Sequence, residues 1–232
     1  MAGGLPSGVV DQPFDAQFLK GPVWRLIDPQ AAAAAVTAAK VFGVQLIVAR
    51  LDPVQDLSPF GFRRVETLVT YEGALDPQTA ELEGVRRGEP SDAGACADIA
   101  VQVFTHDRWH ADPQIPNAAA DAFKRAWVEN DVRGRADTVL IAEGAGGGVD
   151  GFVLALERER TAIVDLIAVS PRAQGRGVGR RLLRALAAEC GQRRRFGRAG
   201  TQETNLAAAR LYESAGWRVA DRQIGWHWTP EG

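Results

Sequence analysis

A chain of 232 residues, 46% hydrophobic, has enough apolar mass for one large domain or two small ones. Its 27 basic and 29 acidic side chains exclude general nucleic-acid binding, which needs a strongly basic domain, and two cysteines exclude a disulfide framework. The opening MAGGLPSGVVDQ has no basic stretch ahead of an apolar one, and Lys40 and Gln45 interrupt the apolar run 31–49, so we expect a cytoplasmic protein with no membrane span.

In chain order, VWRLI and VQLIVARL are β-branched runs that read as strands around an alanine-rich helix, and FRRVETLVTYEG alternates as a half-buried strand. Asp76 to Glu81 reads as a junction, making residues 1–80 a smaller α/β domain and 81–232 a larger one. The larger opens on the edge strand ELEGVRRGE, then the helix SDAGACADIAVQVF, capped by Ser91 or Asp92, and NAAADAFKRAWVEN, capped by Asn117. TVLIAE and VDGFVLALE are strands joined through GAGGG, and TAIVDLIAVS is a third. VGRRLLRALAAEC is an amphipathic helix ended by Gly191, FGRAGTQ a strand and NLAAARLYESAG a helix. WRVAD and IGWHW are predicted to close the chain as a hairpin.

One stretch, SPRAQGRGVGRRLLRAL (170–186), sets Gly175, Gly177 and Gly179 at alternate positions between a strand and an arginine-rich helix. Without Cβ atoms such a backbone can turn successive N–H groups outward, with the positive end of a helix dipole behind them. That is a phosphate cradle, to which Arg172 and Arg176 add charge. The spacing fits neither a P-loop, which needs Gly-Lys-Ser/Thr, nor the dinucleotide pattern G-x-G-x-x-G. On the glycines alone a purely structural turn stays open.

The same residues resemble the acyl-CoA-binding motif of the GNAT acyltransferase superfamily, Gln/Arg-x-x-Gly-x-Gly/Ala, with Gln174, Gly177 and Gly179 at its defining positions. TQETNLAAARLYESAGW resembles a later motif of that superfamily through Asn205, Leu211, Tyr212 and the pair Gly216-Trp217. GFRRVETLVTYEG, FTHDRWHADPQIP, AWVENDVRG and GWHW are similar, more narrowly, to dTDP-fucosamine-type sugar-nucleotide N-acetyltransferases, from which FDAQFLKGPVWRL departs. The resemblance implies an α/β GNAT fold: a mixed twisted sheet flanked by helices, preceded by a smaller α/β domain. It implies direct transfer of an acyl group, in the first place acetyl, from acyl-CoA to a primary amine on a nucleotide-linked amino sugar or similar small molecule. An acyl-phosphopantetheine on a carrier protein is a second donor, met by Arg193 to Arg195, which would otherwise serve the 3′-phosphate of coenzyme A. A non-catalytic ligand-binding module is a third reading.

Under that resemblance Ile167, Ala168 and Val169 offer backbone to the pantetheine and the thioester oxygen. Arg172, Gln174, Gly175, Arg176, Gly177, Val178 and Gly179 hold the pyrophosphate, and Asn205 binds the pantetheine arm while capping its helix. Tyr212 is the candidate general acid, or else a core aromatic at helical spacing from Ala208. Asp165 is the candidate base, or else the structural partner of an arginine. His106, Arg108 and His110 would contact an anionic acceptor, or else are ordinary surface residues; His227 would line the same pocket, or else belongs to an apolar closing strand. His106 and His110 stand at i, i+4 without a following Glu or a third ligand, so no metal is expected. The lack of a Gly-x-Ser-x-Gly elbow disfavours an acyl-enzyme. The closing hairpin and N-terminal domain are the surfaces through which a homodimer would form.

Overall fold

The structure, a computed structural model, describes residues 4–77, 84–105, 107–144 and 146–230. In chain order its elements are β1 (Val9–Asp11), β2 (Val23–Leu26), α1 (Ala32–Phe42), β3 (Leu46–Leu51), β4 (Arg63–Ala74), β5 (Val85–Arg87), α2 (Ala93–Val103) and α3 (Asn117–Asn130). There follow β6 (Thr138–Glu143), β7 (Val149–Arg158), β8 (Thr161–Val169), α4 (Val178–Cys190), β9 (Phe196–Gln202), α5 (Leu206–Ser214) and β10 (Arg218–Trp228). Two compact units share the chain: Met1–Leu68 with His106–Phe123 and Arg222–Gly232, and Val69–Thr105 with Lys124–Asp221. The division differs from the expected boundary after residue 80, because two later segments belong with the first unit.

In the first unit β1, β2, β3, the latter part of β10 and the first part of β4 lie side by side in that order. β2 and β3 are parallel and α1 is the crossover between them, as a parallel pair requires. Alanine gives this helix its propensity, and the absence of side-chain bulk lets Ala32, Ala35 and Ala39 pack closely against Trp24, Ile47, Ala49 and Trp226. The helix stops at Gly43, whose φ of 67° is left-handed.

The second unit orders its strands as β4, β9, β8, β7, β6, β5. β5 to β8 pair antiparallel, and β8 with β9 parallel. Leu182, Leu183 and Leu186 of α4 pack on one face with Val153, Ala162 and Val164; Cys96 and Ala97 of α2 and Val128 of α3 pack on the other with Phe152 and Leu154. Cys96 and Cys190 are buried free thiols. Where a closing hairpin was expected, β10 is one continuous strand. The stretch ADRQ at its centre has no Gly, Asn or Pro to make a two-residue turn. Among the described residues no helix is long and apolar enough to cross a membrane.

Candidate active site

The site is built around an irregularity in β8. Its pairing with β7 shifts register between Leu154, opposite Leu166, and Ala155, opposite Val164, which leaves Asp165 as the extra residue of a bulge. Before the bulge Ala162 and Val164 face the α4 side; after it Leu166 and Ala168 face α2 and α3, while Ile167 and Val169 lie towards α4 and α5. Pairing with β9 runs from Thr161–Phe196 only to Val164–Ala199. Beyond it, among the described residues, β9 does not continue the pairing along 165–169.

The chain then makes a short turn, with Gln174 donating from its side chain to the Val169 carbonyl at 3.2 Å, and enters the glycine loop. Gly175 and Gly177 have φ of 74° and 77°, and a Cβ on either would meet nothing within 4 Å. Their lack of a side chain therefore serves the backbone turn and leaves the loop open to the outside. Gly177 is the N-cap of α4, so the free N–H groups of the first helical turn face the same opening. Gly179 is different: a Cβ there would lie 3.2 Å from the Leu211 side chain, so its role is the close approach of α5. Asn205 starts α5 and its side-chain oxygen accepts from the Ala208 N–H at 3.1 Å, leaving its amide N–H₂ for another partner.

These elements enclose a cleft of about 640 Å³. Ile167, Ala168, Val169, Gln174, Gly175, Gly177, Val178, Gly179 and Asn205, the residues proposed from sequence to contact a donor, all line it. Among the described residues its lining holds Arg180 and Arg210 and no Asp, Glu or His, so the cleft is positive and suited to an anionic ligand.

Residues 135–219 match the family model of the acetyltransferase (GNAT) domain, and this span contains the bulge, the glycine loop and α5. Over those residues the chain is similar to the GNAT acetyltransferase domain. Over 143 residues it is also 34% identical to the spore coat polysaccharide biosynthesis protein SpsD of Bacillus subtilis (strain 168), covering 61% of this chain and 49% of that one. The chain thus spans about half the length of this curated relative. A functionally unknown conserved protein from Staphylococcus epidermidis ATCC 12228 superposes with a TM-score of 0.65 at 12% identity, over 92% of this chain and 87% of that one. A GCN5-related N-acetyltransferase from Sphaerobacter thermophilus superposes with a TM-score of 0.57 at 16% identity, over 95% and 75%. At these identities the two structures share the fold.

Other expected site residues of the second unit fall outside the cleft. Arg172 reaches back to Asp150 at 3.1 Å and to the Val149 carbonyl at 3.3 Å, and Arg176 is exposed on the loop without lining the cleft. Asp165 accepts from the Trp127 indole at 2.7 Å and pairs with Arg135. Arg135 also holds the wholly buried Asp131, whose carboxyl is pushed up to about 7 by burial and then by Asp165. Asp165 thus pairs with an arginine and is not among the residues that line the cleft. Arg193 and Arg194 both pair with Glu157, at 2.9 and 3.1 Å. They precede β9, at the end of β8 opposite the glycine loop, roughly 25 Å along the strand.

Tyr212 is 2% exposed, with its ring stacked on Trp217 and tilted against Tyr71, both about 5.5 Å away. Burial pushes its phenol well above the ordinary tyrosine range. It does not line the cleft, but it follows Leu211 and lies one helical turn after Ala208, which do. Sequence reasoning missed Arg210 and Ser214, three and seven residues after the lining residue Ala207; the helical stripe from Asn205 was the signal that could have found them. It also missed Val103 and Phe104, which come from the end of α2 and had no such signal.

The expected acceptor residues belong to the first unit, apart from His106, which lies outside the described residues. Arg108 is half-buried beside Asp15 at 3.4 Å, and desolvation together with the nearby Arg50 lowers it to about 10. His110 sits between Asp107 at 3.2 Å and Asp121 at 3.1 Å. His227 meets Asp112 through Nδ1 at 2.8 Å, and Arg63 meets the same carboxylate at 3.0 Å. These are hydrogen-bonded or ionic pairs of buried and half-buried side chains, and none of them lines the cleft described above. Among the described residues no group of three His, Cys, Asp or Glu is placed to hold a metal ion.

Proposed function

We propose that the protein is an N-acyltransferase that moves an acetyl group from acetyl-CoA to the primary amine of a nucleotide-linked amino sugar or a related small molecule. The observation that carries this is the meeting, in one cleft with no carboxylate among its described lining residues, of an unpaired strand edge, a glycine loop opening α4, and Asn205. A donor with two amides, a thioester and a diphosphate matches those features in turn. Its amides pair with the 167–169 edge as a strand would, and its diphosphate takes the N–H groups of the glycine loop with the charge of Arg180. Asn205 donates to the arm between them.

In the transfer, the amine nitrogen attacks the thioester carbonyl carbon while a backbone N–H of the strand edge holds the oxygen. The C–N bond forms and the C–S bond breaks. The thiolate takes a proton from Tyr212, which its burial keeps protonated; the amine's surplus proton passes to water, since among the described residues no Asp, Glu or His lines the cleft, and water returns a proton to the tyrosinate. The likeness to a polysaccharide biosynthesis protein supports an amino-sugar acceptor. Incubation with acetyl-CoA and a panel of nucleotide-linked amino sugars, read as thiol release, should show turnover that depends on the amine. Turnover only from an acetylated carrier protein, or no binding of acetyl-CoA, would overturn the proposal.

A further inference from the structure

We infer that Phe104 sets the length of the acyl group, closing the cleft behind the thioester so that acetyl fits and longer chains do not. This rests on the donor reading above. The two faces of β8 carry the argument. The glycine loop, Asn205 and Leu211 lie with Ile167 and Val169 on the α4 and α5 side, whereas Val103 and Phe104 pack with Leu166 and Ala168 on the α2 and α3 side. One cleft has both groups in its wall, where β8 and β9 have ceased to pair. A donor with its phosphates at the start of α4 therefore threads the sheet, and its acyl end emerges against Phe104.

The ring is also braced. Phe104 caps the last turn of α2, its N–H donating to the Ala100 carbonyl at 2.9 Å. Behind it the Lys124 ammonium lies 4.8 Å from the Phe104 ring centre and 4.9 Å from that of Trp127, with Lys124 only 4% exposed. A desolvated cation between two rings holds both in place. A ring fixed in this way does not swing aside for a longer chain as an unsupported side chain would.

The test is calorimetric titration of the full chain with coenzyme A, acetyl-CoA, butyryl-CoA and octanoyl-CoA, for wild type, Phe104→Ala, Phe104→Leu and Lys124→Met. Wild type should bind octanoyl-CoA at least about tenfold more weakly than acetyl-CoA, a penalty of the size that a few excess methylenes bring in a closed pocket. Phe104→Ala should bring the two within about twofold, with Phe104→Leu and Lys124→Met between these limits. Equal discrimination in wild type and Phe104→Ala, or equal binding of all four ligands by wild type, overturns the inference while leaving the donor site intact. If wild type binds none of the four, the donor reading falls and this inference with it. Should Phe104→Ala fail to fold, the ratio in Phe104→Leu decides.

Discussion

Tyr212 packs its ring into the core of the second unit yet stands beside two residues of the cleft wall. As general acid it should contribute through the leaving thiolate alone. Tyr212→Phe keeps the packing and removes the proton, and steady-state kinetics should show kcat reduced on the order of 10²-fold with the acetyl-CoA KM within a few fold. Unchanged kcat would assign the proton elsewhere. Asp131 gives a second prediction. Its folded-state pKa of about 7 exceeds the unfolded value of about 3.9, so the folded state holds more protons between them and stability falls as pH rises through that window. Thermal midpoints of Asp131→Asn should fall less than those of wild type from pH 4 to 7.5; parallel curves would contradict the burial of this group. Tyr212 was singled out through its motif, and the fold sets it beside the cleft lining rather than in it. For Asp165 the sequence left base and arginine partner open, because Trp127 and Arg135 stand 38 and 30 residues away and only the fold brings them to it.

At the level of elements, most of the strands and helices could be read from periodicity and turn residues, and the glycine loop from its spacing. The continuous β10 could not, because two apolar stretches separated by polar residues look alike whether a turn intervenes or not. Nor did TAIVDLIAV reveal its bulge, whose only trace was a carboxylate within an apolar strand. The N-terminal ends of α4 and α5 are where sequence and chemistry meet most directly. Gly177→Ala forces a Cβ into a left-handed backbone and should cost roughly 1–2 kcal/mol in urea unfolding, with weaker coenzyme A binding; a neutral effect would mean that the loop relaxes. Asn205→Ala should cost about 1 kcal/mol as a lost cap, whereas Asn205→Ser should restore the cap and not the affinity for acetyl-CoA. If Ser restores both, Asn205 is a cap and nothing more.

For the whole molecule, the chain order conceals its division into units. Segments 106–123 and 222–232 return to the first unit, and with them come Asp112 and His227, whose pairing no local pattern announces. Burial pulls the Asp112 carboxyl upwards, but His227, the Gln114 N–H and Arg63 outweigh it and hold the group below its ordinary value. Asp112→Ala would leave Arg63 and His227 unpaired and should destabilise the protein by about 3–5 kcal/mol in urea unfolding. Burial also lowers the His227 imidazole, so both groups add stability that is lost on acidification, Asp112 below about pH 4 and His227 below about pH 6.5. The central claim concerns the cleft of the second unit, and titration of the full chain with acetyl-CoA in a calorimeter tests it most directly. The account predicts one saturable site per chain, weakened in Gly177→Ala, and thermal stabilisation of about 2.7 kcal/mol at a hundredfold excess over Kd. No saturable heat and no stabilisation at millimolar acetyl-CoA would contradict it.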